Sequence, residues 1–236
     1  MPKAYPPPYI PKTKTEKTLD LISKRGQAET VCELGNKAGL HLASISKLGE
    51  RDATLLVDDT YEMKVIDQST KEIIHNFKIT STQVKCIQVA ESKIFFGLSF
   101  GAIWMFDAYS PFEKIGQVAL YDNAAPSSMC IESQGKLIVG LANGSIEQFK
   151  FDQEGIKSVY PVGNKIKVPQ AGEIYDMTVV ELPEKAGLNP TIVLATFSGL
   201  IFGRISNLMI DGAFGRQYCW ETEVVFMKDK MISQIC

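Results

Sequence analysis

The sequence predicts an all-β chain assembled from repeated four-stranded units. Three observations carry this reading. From Thr18 onward, apolar or alternating runs of five to eight residues, rich in β-branched and aromatic side chains, are punctuated by Gly, Asn, Asp and Ser. Two segments match without a gap: SKIFFGLSFGAIWMFD (Ser92 to Asp107) lies over GKLIVGLANGSIEQFK (Gly135 to Lys150), so that Gly97 and Gly101 fall on Gly140 and Gly144, Ile103 on Ile146 and Phe106 on Phe149. No segment reaches the length of a self-supporting helix, and only Glu184 to Leu188 and Ser23 to Ala28 offer a helical turn.

Each element follows in chain order. Residues 1–17 hold Pro2, Pro6, Pro7, Pro8 and Pro11, which fix φ and remove backbone donors, so this stretch is expected to be an extended, solvated tail. The remainder, 18–236, carries four repeats near 41–80, 82–120, 127–163 and 172–227. Thr18 to Ser23 and Glu29 to Leu34 read as the third and fourth strands of a unit whose first half is missing. First strands are expected at His41 to Lys47, Gln83 to Ala90, Ser127 to Ser133 and Glu173 to Glu181. The second strands, such as Lys93 to Gly97 and Lys136 to Gly140, are almost purely apolar, as a strand buried on both faces requires. A turn into each third strand follows, where Gly101, Asn143 with Gly144, and Gly199 supply the positive φ of a tight hairpin, while Gly97 and Gly140 are small enough for neighbouring units to approach. Two poorer copies, Ala53 to Asp67 and Thr191 to Ile205, put Tyr61 and Gly199 at the second glycine position. Fourth strands are expected near Lys71 to Ile79, Glu113 to Leu120, Ile156 to Val162 and Arg216 to Phe226, and Lys230 to Cys236 reads as a lone first strand.

Positions 61, 101, 144 and 199 are 40, 43 and 55 residues apart, the last interval lengthened by the Leu182 to Pro190 insertion. Four strands per period of this length is the β-propeller pattern. The segment Gly101-Ala-Ile-Trp-Met-Phe-Asp107, the pair Ile66-Asp67 and the small-x-x-x-Gly spacing before them resemble the WD-repeat family of propellers, over roughly residues 41 to 207. The likeness is to a divergent member. The family's Trp-Asp pair is replaced by Ile66-Asp67, Phe106-Asp107, Phe149-Lys150 and Arg204-Ile205, and its Gly-His pair is missing, so the family's His/Asp network is not carried over to this chain. Such blades are similar to those at the C-terminal ends of large signalling proteins, including leucine-rich-repeat kinases and some Rho-type exchange factors. The expected fold is thus about four full four-stranded blades plus incomplete blade strands at both ends. Two completions stay open: five blades closed by a composite of the two ends, or part of a six- to eight-bladed ring completed by further sequence or another chain, the latter being favoured.

Composition narrows the function. With 236 residues, 45% of them apolar and 22% charged, the chain is long enough for one large or two small domains and too apolar for general disorder, and its apolar runs are too short to cross a bilayer. A net charge of −2 gives no broad attraction to nucleic acid or anionic lipid, so neither is expected as a partner. Cys32, Cys86, Cys130, Cys219 and Cys236 are scattered and odd in number, with no C-x-x-C pair, which argues against a disulfide framework or a metal site. Together with an N-terminus lacking an apolar signal region, they point to the cytoplasm. Asn143-Gly144-Ser145 matches a glycosylation sequon and is read as turn chemistry.

No catalytic constellation emerges. Gly97-Leu-Ser-Phe-Gly101 has the form of a nucleophile elbow, but that motif needs a helix after the turn and a histidine later in the chain, whereas a strand follows here and His41 and His75 both precede Ser99. Asp58-Asp59 reads as a solvated turn. No cofactor or small-molecule site is expected. Trp104 alternates with Ile103 and Met105, which places it between blades or, towards a loop end, as a partner anchor. Pro6-Pro7-Pro8-Tyr9 fits the P-P-x-Y form bound by WW domains; the alternative is an inert leader. The neck after it, with Lys12, Lys14, Lys17, Lys24 and Arg25, is locally basic. These features predict a non-enzymatic scaffold or adaptor that binds proteins through propeller loops and the Pro-rich tail. The alternative is a structural piece whose propeller is completed by another chain, or by more of a multidomain signalling protein of kinase, GTPase or exchange-factor type.

Overall fold

In the computed structural model, the strands among the described residues pair antiparallel. It describes residues 18–22, 28–33, 40–48, 50–79, 82–90, 92–108, 113–132, 135–159, 166–169, 171–180, 191–209 and 216–226. The tail motif Pro6 to Tyr9, the insertion at Leu182 to Pro190, the helical turns expected at Ser23 to Ala28 and Glu184 to Leu188, and the lone strand expected at Lys230 to Cys236 lie wholly or mostly outside them. The chain is all β; among the described residues the sole helical element is a three-residue 3-10 turn, Tyr121–Asn123.

Strands β1 (Thr18–Ile22) and β2 (Ala28–Glu33) form a two-stranded sheet. The first blade is β3 (Leu40–Leu48), β4 (Arg51–Asp58), β5 (Glu62–Asp67) and β6 (Ile73–Lys78), paired in chain order. The second is β7 (Val84–Ala90), β8 (Lys93–Leu98), β9 (Ala102–Asp107) and β10 (Lys114–Ala119). The third is β11 (Pro126–Glu132), β12 (Lys136–Leu141) and β13 (Ser145–Phe151), edged by β14 (Ile156–Ser158) and β15 (Ile166–Lys167). The fourth is β16 (Ile174–Val180), β17 (Thr191–Thr196), β18 (Gly199–Met209) and β19 (Arg216–Phe226). The fourth strand expected near Ile156 to Val162 is present as β14, with residues 160–162 outside the described ones, and the short strand β15 also pairs with β13.

The described strands fall into two compact units, one with β1, β2 and most of the first blade, the other with the second, third and fourth blades. In the first unit, β4 and β5 bury Leu55, Leu56, Val57, Met63, Val65 and Ile66. Asp58 turns its carboxylate on its own hairpin, accepting from the Thr60 and Glu62 amides at 2.8 and 3.0 Å, which is why this acid sits in a turn without a charged partner.

In the second unit the blades stack face to face. The first strands gather, β11 lying against β7 and β16, while the outer strand β10 meets β14. β12 shows how one strand serves two cores. Leu137, Val139 and Leu141 pack with Phe95, Ile103 and Met105 of the second blade, whereas Ile138 packs with Ile174, Met177, Ile192 and Leu194 of the fourth. A period of two sends successive side chains to opposite faces, so an apolar run is the only pattern that satisfies both neighbours. The first glycines of the second and third blades mark close approaches to the next blade. A Cβ on Gly97 would lie 2.8 Å from Pro126 of the third blade, and one on Gly140 would lie 2.7 Å from Met177 of the fourth.

Burial also silences two thiols. Desolvation pushes Cys86 up to about 12 and raises Cys130 as well, with Glu132 and Asp176 adding to the latter. The folded state thus holds these protons more tightly than the unfolded chain. The sign follows: this stability is fully present below the usual thiol value of 9.0 and is lost as pH rises from there towards 12. At pH 8, mass-resolved labelling with a disulfide reagent is expected to leave Cys86 and Cys130 unmodified until the protein unfolds; native-state labelling of either would contradict their burial.

Candidate interaction surface

In a four-stranded meander, the turn between the second and third strands and the link from the fourth strand to the next blade fall at the same end. That end of the second unit carries the turns at Ser99 to Gly101, Ala142 to Gly144 and Phe197 to Ser198, and the links at Leu120 to Ala125 and Val168 to Glu173. The backbone stitches turn to link. The Gly101 carbonyl accepts from Leu120 N–H at 2.8 Å and the Gly144 carbonyl from Val168 N–H at 3.2 Å; in the first blade Tyr61 accepts from Ile79 in the same way at 3.0 Å. These residues share a left-handed backbone, with φ of 79° at Gly101, 77° at Gly144 and 61° at Tyr61, and Gly199 is also positive at 127°. The Asn143 side chain supports its turn by accepting from Ser145 N–H at 3.0 Å.

Three large aromatics stand out of this end into solvent: Phe100 is 46% exposed, Tyr121 37% and Phe197 60%. Each is held from behind. The Tyr121 amide donates to the buried Glu147 carboxylate at 2.8 Å, and the Phe197 amide donates to the Glu173 carbonyl at 3.0 Å. Asp122 and Asn123, beside Tyr121, take consecutive left-handed conformations at φ 57° and 50°, a costly arrangement for residues with a side chain. A pocket of about 240 Å³ is lined by Lys85 of β7, by Ala125, Pro126 and Ser127 entering β11, by Ala142, and by Glu173 and Tyr175 around the start of β16. The Tyr175 hydroxyl is raised by desolvation, by the neighbouring Glu173 charge and by its hydrogen bond to that carboxylate.

Trp104 sits half-buried on β9. Its ring meets Phe100 edge-on at 6.3 Å and lies 4.2 Å beneath the Lys114 ammonium, so it backs an exposed aromatic of the loop end. Ser99 lies in a turn that leads directly into strand β9, with its amide bound to the Gln83 carbonyl at 2.9 Å. His75 is on β6, its pKa lowered by burial. No group of acidic, His and Cys side chains suited to a metal occurs among the described residues. The two aspartates that end their strands as a Trp-Asp pair would are used locally: Asp67 accepts from the Ser69 and Thr70 amides of its own turn, and Asp107 pairs with Lys93 across the hairpin at 3.0 Å. The sequence reading missed Tyr121 and Phe197 as surface groups, and passed over Phe100. The available signal was an aromatic in a tight-turn slot: Phe100 occupies the place that Asn143 takes in the next repeat.

The chain matches no protein-family model and no curated protein sequence. Solved structures do resemble it. BBS1N, crystallised in complex with ARL6DN, superposes with a TM-score of 0.55 at 11% identity, over 72% of this chain and 51% of that one. Sqt1 of Saccharomyces cerevisiae gives 0.54 at 15% identity, over 72% and 47%. The computationally designed Ika4 protein gives 0.52 at 12% identity, over 73% and 94%. At such identities the likeness shows the fold, a β-propeller architecture, and the chain spans about half the length of the two natural structures.

Proposed function

We propose that this chain is a non-catalytic interaction module of divergent WD-repeat type, a scaffold or adaptor that receives a protein partner on the loop end of its blades. The observation that carries this is the set of three exposed aromatics, Phe100, Tyr121 and Phe197, on turns fixed by backbone hydrogen bonds. Exposed aromatics on rigid supports are the groups that dominate binding energy, because little ordering cost remains when they are covered. The strained Asp122-Asn123 pair fits such a role, and BBS1N shows a protein of this architecture in complex with another protein. The Pro6 to Tyr9 motif is a second contact in this reading, offered to a WW domain, and the free thiols Cys86, Cys130 and Cys219 suit the cytoplasm.

Affinity purification from the source cell tests the loop end directly. The combined Phe100→Ala, Tyr121→Ala and Phe197→Ala variant is expected to lose about tenfold or more of its partner, as hot-spot truncations do, while Ile73→Ala and Val180→Ala, exposed elsewhere, retain it. Equal recovery by all variants defeats the reading. A second reading rests on the β1–β2 sheet, which has half the strands of a blade: the propeller is completed by another chain or by more of a longer protein. A compact monomer by light scattering, with one cooperative unfolding transition, would set that aside.

A further inference from the structure

We infer that the pocket at the gathered first strands is a receptor for one aliphatic side chain of an extended partner segment, flanked two residues away by an acidic residue on one side and a basic residue on the other. This rests on the loop-end reading above and assigns the partner its chemistry. Size decides the first part. At about 240 Å³ the pocket lies below the roughly 300–1,000 Å³ of small-molecule and cofactor sites, and suits a single side chain. The floor decides that this side chain is aliphatic. Ala125 and Ala142 are held together by a 3.2 Å backbone bond, Pro126 has no N–H, and the Ser127 hydroxyl donates to the Gly140 carbonyl at 3.1 Å. The floor therefore presents no spare side-chain donor.

The walls decide the flanks. Lys85, exposed on the second blade, stands at one side; Glu173, exposed on the fourth and hydrogen-bonded to Tyr175, stands at the other. An occupant with one kind of charge would be attracted at one wall and repelled at the other, so only a segment carrying both charges matches both walls. In an extended chain, residues i−2 and i+2 share the face of residue i, so the charged residues that face walls contributed by two blades on either side of a third are placed two positions from the aliphatic one. The occupant is therefore acidic-x-aliphatic-x-basic, read in either chain direction.

Fluorescence anisotropy of the full chain with three labelled heptapeptides tests this: Ser-Glu-Ser-Val-Ser-Lys-Ser, and the same peptide with Glu at both or Lys at both charged positions. The mixed-charge peptide is expected to bind about tenfold tighter than either of the others. Lys85→Glu should transfer the preference to the doubly basic peptide. Ala142→Trp, on an exposed turn, should fill the pocket and weaken binding about tenfold with the unfolding transition unchanged. Equal binding of the three peptides, no binding of the mixed peptide at about 1 mM, a wild-type preference for the doubly basic peptide, or indifference to Ala142→Trp would overturn the assignment. If the Lys85 and Ala142 variants still recover the cellular partner while the triple aromatic variant does not, the pocket's role falls and the loop-end reading stands.

Discussion

Replacing Gly144 by alanine is expected to destabilise the protein by about 3 kcal/mol, the sum of a left-handed backbone penalty of about 1–2 kcal/mol and an overpacking cost of similar size. The second term comes from a new Cβ 2.3 Å from the Gly172 carbonyl oxygen, a backbone atom that cannot swing aside. For a chain of this length the melting temperature should fall by about 6–12 °C. Gly101→Ala should behave alike, since its Cβ would meet the Asn123 backbone at 2.3 Å. Gly135 supplies the control. Its φ of 71° carries the same backbone penalty, but its nearest neighbour would be 3.4 Å away, so Gly135→Ala should cost only about 1–2 kcal/mol. Thermal and urea unfolding of the three variants checks this; equal losses at all three would mean that the clash between turn and link contributes nothing.

Phe95→Ala should cost about 3–5 kcal/mol, the range for emptying a fully buried aromatic site. The ring is completely enclosed between the second and third blades and meets Phe151 edge-on at 4.8 Å, a contact also lost on truncation. Phe100→Ala, which truncates a solvent-facing ring, should change stability by about 0.5 kcal/mol or less. A Phe95→Ala loss no larger than that of Phe100→Ala would refute stacking of these two blades.

Much of the fold was legible because its signals are local. Lys93 to Gly97 and Lys136 to Gly140 could be read as doubly buried strands from apolarity alone, and they lie within β8 and β12. The alignment of Tyr61 with two glycines looked poor as sequence, yet Tyr61 adopts the same left-handed backbone, since hairpin geometry rather than side-chain type defines the position. The second edge strand of the third blade was not legible, because Ile166–Lys167 offers only two residues to a strand pattern. The candidate interaction surface was mostly hidden. Phe197 and Tyr121 are ordinary strand-forming residues by type, and their exposure follows from their places in a turn and a link that sequence alone does not bring to one end. The pocket takes its walls from three repeats, so no single window of sequence contains it.

The two-sided burial of β12 makes adjacent codons answer to different constraints. Leu137 and Ile138 share a peptide bond but belong to separate cores, so their substitutions should add almost independently, whereas Leu137 and Phe149, partners across the hairpin, should show energetic coupling. A change at either position is expected to be offset by a second change in the blade it touches, so that one repeat answers to its two flanks separately.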